Sequence, residues 1–230
     1  MNLFGKLFGK ADHRTRLERC VDQLTAGRMN RQVNTMSDAI KVPYAQAMTV
    51  LLFARVFTNG LPEFAKQLPE PFKNDWPFPH DRIFAEVAGF YYFVLLKDFM
   101  SPSTDEEDWD EEDNDDGKPI DPYADALKQS LYLCSQFVHT LSDPSIPEMF
   151  VRNRAISHSA THRSQSESHV DMLANSILTA WNPRGNSRPS LDISAPVILI
   201  QSCISSMPIE EVVAACRNLY EEKARNPRAF

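Results

Sequence analysis

An all-α fold, a compact bundle of about seven to nine helices, is predicted by three features of this 230-residue sequence. Apolar residues recur three and four positions apart over most of its length, the period of a helix buried on one face. Sixteen prolines fall mainly between the apolar segments while glycine occurs only seven times, a pattern of helices divided by Pro-containing connections rather than of hairpins. The single β-branched run, near the C-terminus, has no convincing second strand to pair with. With 43% hydrophobic and 24% charged residues, the chain has an ordinary globular composition and enough length to bury a core.

The first helix rests on Leu17, Cys20, Val21 and Leu24, which share a stripe that Arg14, Arg16, Arg19 and Asp22 avoid; Gly27 is placed to end it. The next is expected from Pro43 through AQAMTVLLFARVF to a stop at Asn59-Gly60. Being apolar nearly all round, it should be central and buried. A short helix over Leu61 to Leu68 precedes the stiff connection PEPFKNDWPFPH, whose Trp76, Phe78 and His80 suit either a groove-lining binding surface or a rigid structural crossing, the latter being favoured. Asp81 can cap the following helix, in which Ile83, Phe84, Val87, Ala88, Tyr91, Val94, Leu95 and Phe99 fall on one face before Pro102.

Pro122 opens a helix whose Ala124, Leu127, Leu131, Cys134, Val138 and Leu141 are spaced 3, 4, 3, 4, 3, the seam of a contact with a neighbouring helix. A short helix over Glu148 to Ile156 is followed by a polar, Ser-rich connection. Ser164-x-x-Glu167 has the form of a capping box for a helix carrying Val170, Leu173, Ala174, Ile177, Leu178 and Trp181, stopped by Asn182-Pro183. APVILIQSCI suits either a buried strand or a helix with Val197, Ile200 and Ile204 inward, and without a partner strand a helix is expected. The last helix, Pro208 to about Ala224, should bury Ile209, Val212, Val213, Cys216, Leu219 and Tyr220.

Charge is distributed unevenly. The stretch DEEDWDEEDNDDG, Asp105 to Gly117, holds ten of the 31 acidic residues; without it, 21 acids face 24 Lys and Arg, so the body is mildly basic although the whole chain carries −7. Ten like charges this close repel one another and cannot be buried, so residues 101 to 118 are expected to be a disordered internal loop within one domain spanning 1 to 230. An EF-hand register with Gly117 at its glycine position puts Tyr123 where the last glutamate ligand belongs, which excludes that motif.

The partner implied is a protein with a basic surface, and the residues that would meet it are Asp105, Glu106, Glu107, Asp108, Trp109, Asp110, Glu111, Glu112, Asp113, Asp115 and Asp116. Such contact is long-ranged and salt-sensitive. Trp109 adds nothing to solvation and suits a partner's pocket. Nucleic acid is disfavoured as a partner, because no basic helix with interleaved aromatics occurs and the tract would repel phosphates. The function expected is that of a non-enzymatic adaptor, regulator or inhibitor.

Two alternatives belong to other classes. His158, His162 and His169, with Asp171 nearby, could serve a metal-assisted hydrolase: the first two stand at i, i+4, which on a helix brings both imidazoles to one face. H-E-x-x-H is missing and the Ser-rich context suggests a connection, so chance clustering on a polar loop is the expectation, with no metal. Residues 1 to 10, MNLFGKLFGK, could touch a membrane surface through Leu3, Phe4, Leu7 and Phe8, although Gly5 and Gly9 weaken such a helix and a flexible start is favoured. No phosphate-binding glycine loop or nucleophile elbow occurs and no cofactor is implied. Cys20, Cys134, Cys203 and Cys216 lie far apart on apolar stripes, as buried free thiols do, and with no signal-like start a cytoplasmic location is expected.

Overall fold

The computed structural model describes residues 36–66, 80–97, 99, 121–142, 144–165, 168–181 and 194–226. The fold is all-α, with no strand among the described residues. The helices are α1 (Asp38–Ala65), α2 (His80–Leu96), α3 (Pro122–Leu141), α4 (Phe150–Gln165), α5 (His169–Trp181), α6 (Ser194–Ile204) and α7 (Ile209–Arg225). The expected helix around Leu17 to Leu24, residues 1 to 10, Trp76, Phe78 and the whole acidic tract lie outside the described residues.

α2 is the axis of the core. Every residue from Ile83 to Leu96 is buried, not only the single face expected, because α1, α3, α4, α5 and α7 all pack against it. That position demands side chains apolar on all sides, and FYYFVLL supplies them. Glu86 is the one charged residue in the buried run. Phe99 meets Tyr123 with ring centroids 5.9 Å apart, while Tyr92 Oη and Ser130 Oγ are 2.6 Å apart, so α2 and α3 run antiparallel. Helix α2 begins at His80, which puts Asp81 inside the first turn and not at the cap position expected of it.

α1 corrects two expected boundaries. It starts before Pro43 and continues through Asn59-Gly60 and Pro62 as one helix of 28 residues, so the separate short helix from Leu61 does not form. Each internal proline removes one backbone bond, a cost of about 3 kcal/mol in an ordinary helix interior. Burial offsets it: Val42, Tyr44 and Ala45 surround Pro43 in the core, and Leu61, 2% exposed, carries the helix past Gly60. By length and composition Asp38–Glu63 could also cross a membrane, yet most of its apolar stretch is covered by protein. Gln46 Nε2 donates to the Cys216 carbonyl at 3.1 Å and Lys223 lies 3.6 Å from Asp38, so α7 runs antiparallel along α1.

α3 follows its sequence pattern. Asp121 Oδ1 accepts from the Tyr123 amide at 2.8 Å, Pro122 takes the first turn, and Ala124, Leu127, Leu131, Cys134 and Val138 are buried in sequence order, with Leu141 half-buried at the end. Each fully buried Leu of this seam contributes roughly 1.5–3 kcal/mol. His139 Nδ1 donates to the Ile146 carbonyl at 3.0 Å, since a carbonyl only accepts, and this bond pins the turn that leads into α4.

α4 is the largest departure from expectation. It extends nine residues beyond Ile156, through the Ser-rich stretch expected to be a connection, and ends at Gln165. At its N-terminus Ser135 Oγ of α3 accepts from the Arg152 amide at 3.2 Å, satisfying an orphan first-turn donor from outside the helix. The cap of α5 also moves. Ser168 Oγ accepts from the Asp171 amide at 3.2 Å and donates to Asp171 Oδ2 at 2.5 Å, so Ser168 replaces Ser164 as the capping residue. α6 is helical, resolving the ambiguous APVILIQSCI, with Ile200, Cys203 and Ile204 buried. α7 buries Val212 and Cys216 fully, while Ile209, Val213 and Tyr220 pack partly buried against the core.

Candidate functional site

Two regions gather the chemistry-bearing side chains: a polar seam between α2, α4 and α5, and an aromatic junction of Phe99, Tyr123 and Tyr220. The seam begins with Glu86, 3% exposed, whose Oε2 lies 2.5 Å from Arg154 Nε. Arg154 Nη2 donates to Ser176 Oγ of α5 at 2.8 Å, so one guanidinium ties three helices together. Arg82 stands 3.9 Å from the other Glu86 oxygen and stacks over the Phe150 ring at 4.4 Å. Burial pushes the Glu86 carboxyl up, and the Arg154 guanidinium opposes that shift.

Gly89 makes this approach feasible. A Cβ there would meet the Arg154 Cβ at 2.6 Å and the Val151 carbonyl oxygen at 3.1 Å, so only glycine lets α4 lie this close to α2. The pairs Arg82–Phe150, Glu86–Arg154 and Phe90–His158 climb both helices together, which makes α2 and α4 parallel.

The three histidines complete the seam. His158 and His162 do share a face of α4; the continuing helix, in place of the polar loop expected, buries His158 in the core and leaves His162 half-buried beside it. His158, 2% exposed, sits edge-on to Phe90 at 5.6 Å and tilted against Phe93 at 6.1 Å. His169, from the first turn of α5, approaches Phe93 at 5.3 Å and His162 at 4.9 Å. Burial, with Arg154 adding to it, holds the His158 imidazole down to about 3; burial, then Lys97 and His162, lowers His169 as well. Among the described residues no group of three or more His, Cys, Asp or Glu side chains is arranged to hold a metal ion. Asp171 is engaged elsewhere, by Ser168 and by Gln201 Nε2 of α6 at 2.6 Å.

At the junction, Tyr123 packs against Phe99 at 5.9 Å and Tyr220 at 5.3 Å, and Arg217 lies over its ring at 5.7 Å. Burial raises the Tyr123 phenol to about 12. The described chain on either side of the tract is thus fixed at one place on the body. Asp105 to Asp116, including Trp109, fall outside the described residues.

The thiols offer no activated nucleophile among the described residues. Cys134, Cys203 and Cys216 are free and buried, and burial pushes Cys203 and Cys216 up to about 12 and Cys134 further. In a Cys20→Ser chain, native protein at pH 8 should leave all three unreactive to an aromatic disulfide reagent, with three thiols appearing on unfolding; a thiol reacting at the rate of a free peptide would contradict this burial.

Glu86, Gly89 and Arg154 were not singled out by sequence. The available signal was Glu86 itself, the one charged residue in the apolar run from Ile83 to Leu96, since a buried charge requires a partner. What fold and site define is an all-α protein with a buried polar seam. Comparison with family models, with curated proteins and with solved structures finds no match for this chain.

Proposed function

We propose that this chain is a non-enzymatic adaptor, regulator or inhibitor that docks on the basic surface of a protein partner through the acidic tract Asp105 to Asp116. In this reading residues 1 to 230 are one domain of seven to nine helices, and residues 101 to 118 are an internal loop. The observation that carries it is the density of ten carboxylates in twelve residues on an otherwise mildly basic chain. The Phe99–Tyr123 contact supports it, because a charged segment whose two ends are held together on a packed body is presented from a fixed base and not stretched between separate parts. A more specific version is an inhibitor that covers the basic cleft of a nucleic-acid-handling protein, the carboxylates standing in for phosphates.

Charge and anchor can be tested separately. With the ten carboxylates changed to Asn and Gln, the full chain should lose the lysate proteins that the unmodified chain retains at low salt and releases at high salt. Trp109→Ala should weaken retention while leaving that salt dependence in place. Equal retention by the neutralised and unmodified chains at both salt concentrations would refute the electrostatic docking.

A further inference from the structure

We propose that α4 and α5 form a pH-sensitive latch, in which protonation of His158, His162 and His169 releases them from the Phe90–Phe93 face of α2. The geometry is specific: His158 meets both phenylalanines, His162 and His169 meet Phe93, and His162 and His169 meet each other at 4.9 Å. Neutral imidazoles pack here as flat, weakly polar rings. Imidazolium ions would have to be desolvated at His158 and would repel each other at His162 and His169.

The charged groups around the cluster reinforce this. Just past the end of α2, Lys97 acts on His169; from α4, Arg154 acts on His158 and His162 on His169, all disfavouring a further positive charge. The carboxylates nearby are already engaged, Glu86 of α2 by Arg154 and Asp171 of α5 by Ser168 and Gln201. For an imidazole lowered in the folded state, the stabilisation is complete above its ordinary value near 6.5 and is lost as pH falls toward the folded value, about 3 for His158. Each pH unit within that window shifts the balance toward the open corner by about tenfold through His158, and the lowered His169 acts in the same direction. The latch is local because α1, α3 and the α2 core carry no such rings in this contact.

Amide hydrogen exchange on the full chain at pH 7.5 and 5.5, corrected for intrinsic exchange, tests this. Amides of residues 151 to 165 and 169 to 181 should lose protection about tenfold or more at pH 5.5 relative to those of α3. A His158→Gln, His162→Gln, His169→Gln chain should show no such difference between helices. Parallel loss across all helices, or a selective loss that persists in the triple variant, would overturn the latch. Should that variant fail to fold, imidazole proton shifts of the unmodified chain decide: titration of all three rings near 6.5 without perturbation of α4 would overturn it equally.

Discussion

Arg154→Leu should destabilise the protein by about 3–5 kcal/mol, a large loss for a single side chain. Arg154 is the partner of a carboxylate that is almost completely buried, and Leu would leave Glu86 in an apolar contact with only Arg82, 3.9 Å away at the rim. Ser176 Oγ would lose the guanidinium as well. The cost is that of an uncompensated buried charge, not the net worth of the pair, because replacing both members by apolar groups is often close to neutral. The double variant Glu86→Leu/Arg154→Leu should therefore recover much of the stability lost by Arg154→Leu alone. Urea unfolding of the two single variants and the double variant measures the coupling directly. A loss below about 1 kcal/mol for Arg154→Leu would mean that water or Arg82 solvates Glu86 and that the seam is not sealed.

Gly89→Ala should also destabilise, against the usual direction. In a solvent-exposed helix interior the change gains up to ~1 kcal/mol from helix propensity. Here the new methyl would lie 2.6 Å from the Arg154 Cβ, a backbone-proximal atom that cannot swing away, and 3.1 Å from the Val151 carbonyl oxygen. Relief requires α4 to move off α2, which also draws Arg154 from Glu86, so overpacking of roughly 1–3 kcal/mol should outweigh the propensity gain. Thermal and urea unfolding decide the sign. Stabilisation would show that the two helices separate freely at this point.

Which parts of the fold were legible depended on whether a segment carried its own instructions. α3 did: cap, first-turn proline and seam are all local in sequence, and the structure uses each. α2 was legible as a helix, but its burial on every side was not, because one apolar stripe already accounts for a helix and the remaining rings do not announce which neighbours will cover them. α1 was cut at Asn59-Gly60 because Gly and Pro are local stop signals, whereas Leu61 in the core overrides them. α4 was the least legible. Its buried face mixes Val151 and Ala155 with His158 and Ser159, and its first-turn donor is satisfied by Ser135 from another helix. A polar stretch that folds by borrowing a cap and an ion partner from elsewhere has no local signature. The pairing of His158 with His162 on one face was visible in the spacing, but their contact with Phe90 and Phe93 required the α2–α4 crossing.

That crossing also sets opposing pH effects in acid. Glu86, raised by burial, contributes stability that is complete below its ordinary value of 4.5 and is lost as pH rises through its folded value. The lowered histidines act in the other direction.

Deleting residues 105 to 116 is the most direct measurement of the central claim, that the acidic tract docks on a partner while the helical body stands without it. The remaining residues on either side still have only the Phe99–Tyr123 gap to close. The deleted chain should unfold at the same temperature as the intact protein and should lose its salt-sensitive partner retention. Retention with unchanged affinity and unchanged salt dependence would contradict the claim.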